Sequence, residues 1–180
     1  MRLLTALLVL LLAATAAPCG NLDFTLHKLD SGRPGPTILV IGGIQGDEPG
    51  GFSAAALLVS HYKINSGAVW VVPNLNFVSI IRCSRGVYGD MNRKFADLDP
   101  GDPEYAAVQK IKAIIRDEKV DAVLHLHDGW GYYSPTPVNE WQNPLRWGQS
   151  VIIDQDNAEA PRFGDLRELA ERAVAAASEH

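Results

Sequence analysis

Residues 37–51 read Thr37-Ile38-Leu39-Val40-Ile41-Gly42-Gly43-Ile44-Gln45-Gly46-Asp47-Glu48-Pro49-Gly50-Gly51. The first five form an unbroken, largely β-branched apolar run, the pattern of a central strand covered on both faces. Gly42-Gly43 ends it. Beyond the turn, residues 51–62 carry Ala54, Ala55, Ala56, Leu57 and Leu58, all strong helix formers. A buried strand feeding a glycine turn and then a helix belongs to an open α/β sheet.

The alternation continues on both sides of this stretch. Residues 22–26 (Leu-Asp-Phe-Thr-Leu) alternate apolar and polar and read as a half-exposed strand, followed by a Pro34-Gly35-Pro36 turn. Residues 68–72 form a second buried strand, stopped by Pro73. Residues 73–102 are rich in Asn, Arg, Gly and Asp and lack periodicity; a loop of that length usually carries function. Residues 103–118 place Ala107, Ile111, Ile114 and Ile115 on one helical stripe, with Pro103 near the first turn. A third buried strand spans 121–127, an aromatic-dense loop 128–148, a fourth strand 150–153 and a final amphipathic helix 165–178. The order predicts an α/β fold: an open, mostly parallel (mixed) sheet with helices on both faces. No internal repeat or low-complexity segment is present.

Composition agrees. The chain has 180 residues, 47% hydrophobic and 21% charged, which suits one globular domain with a real core. Its formal charge of −5 argues against a nucleic-acid partner, which needs a positive field for phosphates. The amino terminus reads MRLLTALLVLLLAATAAPC. Arg2 precedes an apolar run, Leu3 to Ala14, and Ala14-Thr15-Ala16 fits the small-x-small rule for signal peptidase. The run is short for a membrane span. The expectation is a signal peptide over residues 1–16, export, and no stable membrane span after cleavage; an uncleaved anchor is the alternative. Pro18 disfavours lipid attachment at Cys19. Loss of Arg2 takes the mature charge to −6. Cys19 and Cys83 are the only cysteines, and their spacing carries no zinc-finger signal. Whether they pair is left open.

Ligands of open α/β sheets bind beyond the carboxyl ends of the strands. Three such ends carry polar residues here. Gln45 and Glu48 lie three apart, so they share a face on entering a helix. Two oxygen donors there, with a distant imidazole, suit Zn²⁺ with one position left for water. The plainer alternative is a turn in which Asp47 caps the helix and Glu48 complements its dipole. His125 and His127 alternate along a strand and face opposite sides. His127, nearer the carboxyl end, is the better ligand; His125 is expected under a helix, bonded to a neighbour. Arg82, Arg85, Arg93 and Lys94 make a cationic loop in an acidic protein and suggest an anionic ligand, a carboxylate that Arg grips in bidentate fashion. The alternative is surface charge paired with Asp90 or Asp97. Trp130, Tyr132, Tyr133, Trp141 and Trp147 line a pocket or lid, or else anchor a small satellite core.

Taken together, Gln45-x-x-Glu48, then Arg85, then Asp90-Met91-Asn92-Arg93, then a His closing a strand, resembles the motif order of zinc carboxypeptidases. The usual first ligand there is His. With Gln in that place the chain resembles the cell-shape-determining peptidoglycan carboxypeptidases of helical bacteria, from about residue 20 to the end. The resemblance implies a carboxypeptidase-like catalytic domain over residues 20–180, with Gln45, Glu48 and His127 on Zn²⁺. It implies that Arg85 polarises the scissile carbonyl and that Asn92 and Arg93 hold the substrate carboxylate. Trp147 resembles the family's pocket-side tryptophan. The implied substrate is a peptidoglycan tripeptide stem, trimmed to a dipeptide by cleavage between γ-D-glutamate and diaminopimelate, with the enzyme in the periplasm.

The family's general base is a Glu well beyond the three ligands, and no Glu occupies that late position before His180. Asp128 and Glu140 are near in sequence, but the family pattern supports neither. The chain therefore reads as the N-terminal portion of a longer protein. Two rivals stand beside this reading. One is an amidohydrolase of the aspartoacylase and succinylglutamate desuccinylase kind, which usually keeps His as first ligand. The other is an exported module that binds cell-wall peptides without cutting them.

Overall fold

The computed structural model describes residues 23–129, 131–148, 150–153, 159–160 and 164–178. The leader segment, Cys19, Leu22 and Trp130 lie outside the described residues, so the expectations on them are not addressed by the fold. The main sheet has four strands: β1 (His27–Asp30), β2 (Thr37–Ile41), β3 (Ala68–Val72) and β4 (Ala122–His125). Their spatial order is β1-β3-β2-β4. β2 pairs in parallel with both β3 and β4, and β1 runs antiparallel to β3. The sheet is thus mixed and mostly parallel, as the residue pattern predicts. The helices are α1 (Pro49–His61), α2 (Phe77–Ile81), α3 (Tyr105–Asp117) and α4 (Leu166–Ser178). Two small ladders complete the described elements: β5 (Tyr132–Tyr133) with β6 (Gln142–Asn143), and β7 (Glu159–Ala160) with β8 (Gly164–Asp165).

Strand alternation sends β2 and β3 side chains to both faces, and a helix covers each. On one face Leu39, Ile41 and Val72 join Val108 and Ile111 of α3. On the other Val40 and Val71 meet Ala55 of α1. Leu39, Ile41, Val71 and Val72 are fully buried. Burial of such a side chain is worth roughly 1.5–3 kcal/mol. An exposed ion pair such as Lys28–Glu118 gives about 1 kcal/mol at most. The two apolar layers, not surface charge, therefore hold the sheet.

Four elements differ from the sequence-based expectation. The first strand is His27–Asp30, not residues 22–26. Its register sets His27 against Val71, so carried on it would bring residue 25 opposite Pro73, which has no N–H for the ladder. Phe24 is buried in the core all the same, which explains the alternating pattern. The third strand stops at His125, although the Leu126 N–H still donates to the Ile41 carbonyl at 2.8 Å. It stops because β2, its partner, itself ends at Ile41. Residues 150–153 form no strand; Val151 and Ile152 are exposed. The long 73–102 segment is not featureless: it holds α2 and a one-turn 3-10 helix, Met91–Arg93. Leu75 and Met91 pin it into the core. Among the described residues no helix is long and apolar enough to cross a membrane.

Candidate metal centre

The turn after β2 is shaped by close backbone approach. Gly43 has φ +70°, a conformation that favours glycine. At Gly46 a Cβ would fall 2.0 Å from the Ser79 carbonyl carbon of α2, so only glycine fits against that helix. The Gly46 N–H donates to the Ser84 carbonyl at 3.0 Å, and the Asn76 N–H to the Gly43 carbonyl at 2.8 Å. These bonds fix the backbone between them, and Ile44 seals it into the core. Gln45, beside Ile44, is 1% exposed and Glu48 6%.

Three donors meet at this turn. His127 Nδ1 lies 2.7 Å from Glu48 Oε2 and 3.1 Å from Gln45 Oε1. The β4–β2 ladder carries His127 there, because the Leu126–Ile41 bond brings the end of one strand beside the exit of the other. Among the described residues no three His, Cys, Asp or Glu side chains cluster, and here the third donor is an amide. The set offers one imidazole, one carboxylate and one neutral oxygen, chemistry that zinc accepts. Tetrahedral zinc with bonds of ~2.1 Å spaces its ligands by ~3.4 Å, so Gln45 Oε1 and Glu48 Oε2 would each move outward from His127 Nδ1, by about 0.3 and 0.7 Å, to take the ion. The residues fit the ion. Held together they carry one negative charge, leaving a zinc site at net +1.

A ring of polar contacts supports the donors. Gln45 Nε2 donates to Asp90 Oδ1 at 2.8 Å, which turns the amide oxygen toward His127. Arg85 Nη1 donates to Glu48 Oε1 at 3.2 Å, and Arg85 Nε to Asp90 Oδ2 at 3.3 Å. Asp90 also accepts from the Asn92 N–H at 3.0 Å, capping the 3-10 turn. Burial alone would raise the Asp90 carboxyl. The hydrogen bonds from Gln45 and Asn92 and the charges of Arg85 and Arg93 outweigh that and hold it below the usual carboxylate range.

The remaining expected residues are distributed as follows. Asn92 and Arg93 lie in the 3-10 turn, with Arg93 exposed, on the segment that Asp90 ties to Gln45. Trp147 is 71% exposed on the following loop. Lys94 does not belong to a ligand-facing cationic surface. It is buried and ion-paired with Asp102 and Glu104, because two carboxylates at the start of α3 draw its ammonium inward. Arg85 is paired with Asp90 and Glu48. His125 sets its ring edge against Phe95, 5.8 Å between centroids, rather than under a helix. Asp47 does not cap α1: the N-cap is Glu48, which makes no side-chain cap bond. Asp128 serves that helix instead, accepting from the Gly50 N–H at 3.0 Å. Residue-by-residue reasoning missed the roles of Asp90, Lys94 and Asp128. The Asp-x-Asn spacing was the available signal for Asp90, since such a carboxylate caps the residue two further on.

Comparison with known proteins places the chain in a family. A family model described as "Carboxypeptidase controlling helical cell shape catalytic" matches residues 20–180. The product-bound structure of the cell shape determinant protein Csd4 from Helicobacter pylori is 45% identical with a TM-score of 0.78, covering 88% of this chain and 39% of that one. The mDAP-bound form of the same protein, described as a D,L-carboxypeptidase, is 46% identical with a TM-score of 0.76, covering 86% and 38%. An N-alpha-acetyl-L-2,4-diaminobutyric acid deacetylase from Halomonas elongata is 36% identical over 103 residues, 53% of this chain and 29% of its own length. The chain spans well under half the length of these relatives. With a match over most of its residues, the chain belongs to the family of carboxypeptidases that control helical cell shape.

Proposed function

We propose that the protein is a zinc-dependent peptidoglycan carboxypeptidase. It would trim tripeptide stems to dipeptides by releasing diaminopimelate from γ-D-glutamate, act in the periplasm after export, and so influence cell shape. The observation that carries this reading is that Gln45 Oε1 and Glu48 Oε2 both lie within 3.1 Å of His127 Nδ1. Support for the substrate class comes from the related Helicobacter pylori protein, whose structures include tripeptide-bound and mDAP-bound forms.

Each residue then has a physical task. Gln45, Glu48 and His127 hold the zinc. Bound there, zinc supplies a water of lowered pKa and polarisation of a carbonyl. Arg85, fixed by Glu48 and Asp90, stabilises the charge that develops on the scissile carbonyl oxygen, a contribution of about 3 kcal/mol for one well-placed donor. Asn92 and Arg93 take the substrate's terminal carboxylate, Arg through its planar fork. Trp147, which resembles the family's pocket-side tryptophan, would flank the bound peptide. Asp128 is engaged with the Gly50 N–H, which assigns it to holding α1 rather than to moving protons.

Zinc analysis combined with mass spectrometry of tripeptide muropeptides tests the reading. One zinc per chain and a shift from tripeptide to dipeptide are expected. Deacylation of N-acyl amino acids with tripeptides untouched would favour the amidohydrolase class. Tripeptide binding without any cleavage, in a chain that includes the family's general-base Glu, would favour a wall-peptide binding module.

A further inference from the structure

Lys94 follows directly on Asn92 and Arg93, yet its side chain turns into the protein. Nζ donates to the Tyr88 carbonyl at 2.7 Å and to Asp102 Oδ2 at 2.7 Å, and lies 2.9 Å from Glu104 Oε2. The Tyr88 contact joins residue 94 back to residue 88. It closes a loop around the segment that carries Asp90, Asn92 and Arg93. Inside that loop the Arg93 N–H reaches the Asp90 carbonyl and the Lys94 N–H the Met91 carbonyl.

The carboxylate end of the contact is itself anchored. Asp102 Oδ1 accepts from the Glu104 N–H at 2.8 Å, and Glu104 Oε1 accepts from Asn76 Nδ2 at 2.7 Å. Asn76 caps α2 and its N–H holds the Gly43 carbonyl of the donor turn. A continuous polar chain therefore runs from the turn bearing Gln45 to the turn bearing Asn92 and Arg93. Burial would lower the Lys94 ammonium, but the hydrogen bonds and charges of Asp102 and Glu104 prevail and raise it, so the cation persists. Apolar side chains of similar volume would hold such a spot at least as stably. The ammonium adds direction: two hydrogen bonds, to the Tyr88 carbonyl and Asp102 Oδ2, and the ion pair with Glu104 tie the segment to fixed points.

We propose that Lys94 is a positioning residue for substrate capture: gripped by the Tyr88 carbonyl, Asp102 and Glu104, it holds the Met91–Arg93 turn where Asn92 and Arg93 meet the terminal carboxylate of the peptide. The inference rests on the functional reading above. It goes beyond that reading by naming what sets the carboxylate subsite at a fixed offset from the metal donors.

Isothermal titration of the zinc-loaded protein separates the two claims. The probes are a γ-D-glutamyl-diaminopimelate tripeptide and the same peptide with its C-terminal carboxylate amidated. Lys94→Met is expected to weaken the acid peptide by about tenfold, the scale of one misplaced charge-assisted contact, with the amide peptide and zinc content changed little. Where Lys94→Met loses its far-UV circular dichroism, Asp102→Asn replaces it and is expected to show a smaller loss with the same acid-over-amide selectivity. Equal losses for both peptides, or an acid affinity within about twofold of the parent, overturn the positioning role while leaving the functional reading intact. A parent that binds neither peptide overturns the functional reading and this inference with it.

Discussion

The Gln45 side chain and Asp90 form a directed pair: the amide nitrogen donates to Asp90 Oδ1 at 2.8 Å, so the amide oxygen is the end that faces His127. A glutamine has no intrinsic preference for presenting oxygen or nitrogen to a cavity. Asp90, acceptor-only when ionised, removes that ambiguity. It also receives Arg85 and the Asn92 N–H, so one carboxylate orients the residues proposed as a metal donor, an oxyanion donor and the carboxylate-binding turn.

Asp90→Ala should therefore weaken zinc binding by about 10–100-fold, the usual cost of removing a partner that orients a ligand. Competition with a chromophoric chelator measures it. An unchanged affinity would mean that the amide needs no such support.

Gln45→His should bind zinc more tightly than the parent, because an amide oxygen is a weaker zinc donor than an imidazole. The same competition assay reads the difference. Equal or weaker binding by the histidine variant would count against the amide as a metal ligand.

Arg85→Met should lower kcat by about 10²–10³ with a smaller effect on KM, as expected for a donor used mainly on the developing oxyanion. Steady-state kinetics on the tripeptide decide this. A rise in KM with kcat preserved would instead assign Arg85 to ground-state binding.

Gly46→Ala should destabilise the fold. The new Cβ would sit 2.0 Å from the Ser79 carbonyl carbon and 2.1 Å from its oxygen, both backbone atoms that cannot rotate aside. Overpacking of this kind costs about 1–3 kcal/mol or more. Urea unfolding reads it as a lower midpoint.

The Lys94 cluster sets a pH dependence of stability. Asp102 is pulled two ways: burial raises its carboxyl, while the Lys94 hydrogen bond, the Glu104 N–H and the Lys94 charge prevail and lower it from 3.8. A carboxyl depressed in the folded state contributes stability above its unfolded pKa and loses it as pH falls through the folded one. Lys94 is raised from 10.5, so its contribution holds below that value and fades as pH climbs past it. Unfolding midpoints should thus drop on acidification below 3.8, and Asp102→Asn should flatten that drop. A variant with the parent's acid profile would place the acid sensitivity elsewhere.

Much of the layered fold was legible along the chain. The Thr37–Ile41 run, the Ala68–Val72 run and the stripe on residues 103–118 are long enough for periodicity to report burial, and burial is what forms β2, β3 and α3. Gln45, Glu48 and His127 stood out singly because each closes or follows a strand, and it was the resemblance to zinc carboxypeptidases that joined them into one ligand set. Other features were not. α2 has five residues and the 3-10 turn three, too short for any period to register. The shift of β1 from residues 22–26 to His27–Asp30 depended on which residue would face Pro73 across the sheet. Lys94 read as part of a cationic, ligand-gripping loop because sequence does not say where Asp102 and Glu104 will lie. Local pattern thus determined which segments are strands and helices and which side chains are fit to hold a cation. Only the tertiary structure decided which charges neutralise one another, because that depends on distances between residues far apart in the chain, and on which of them lose their water.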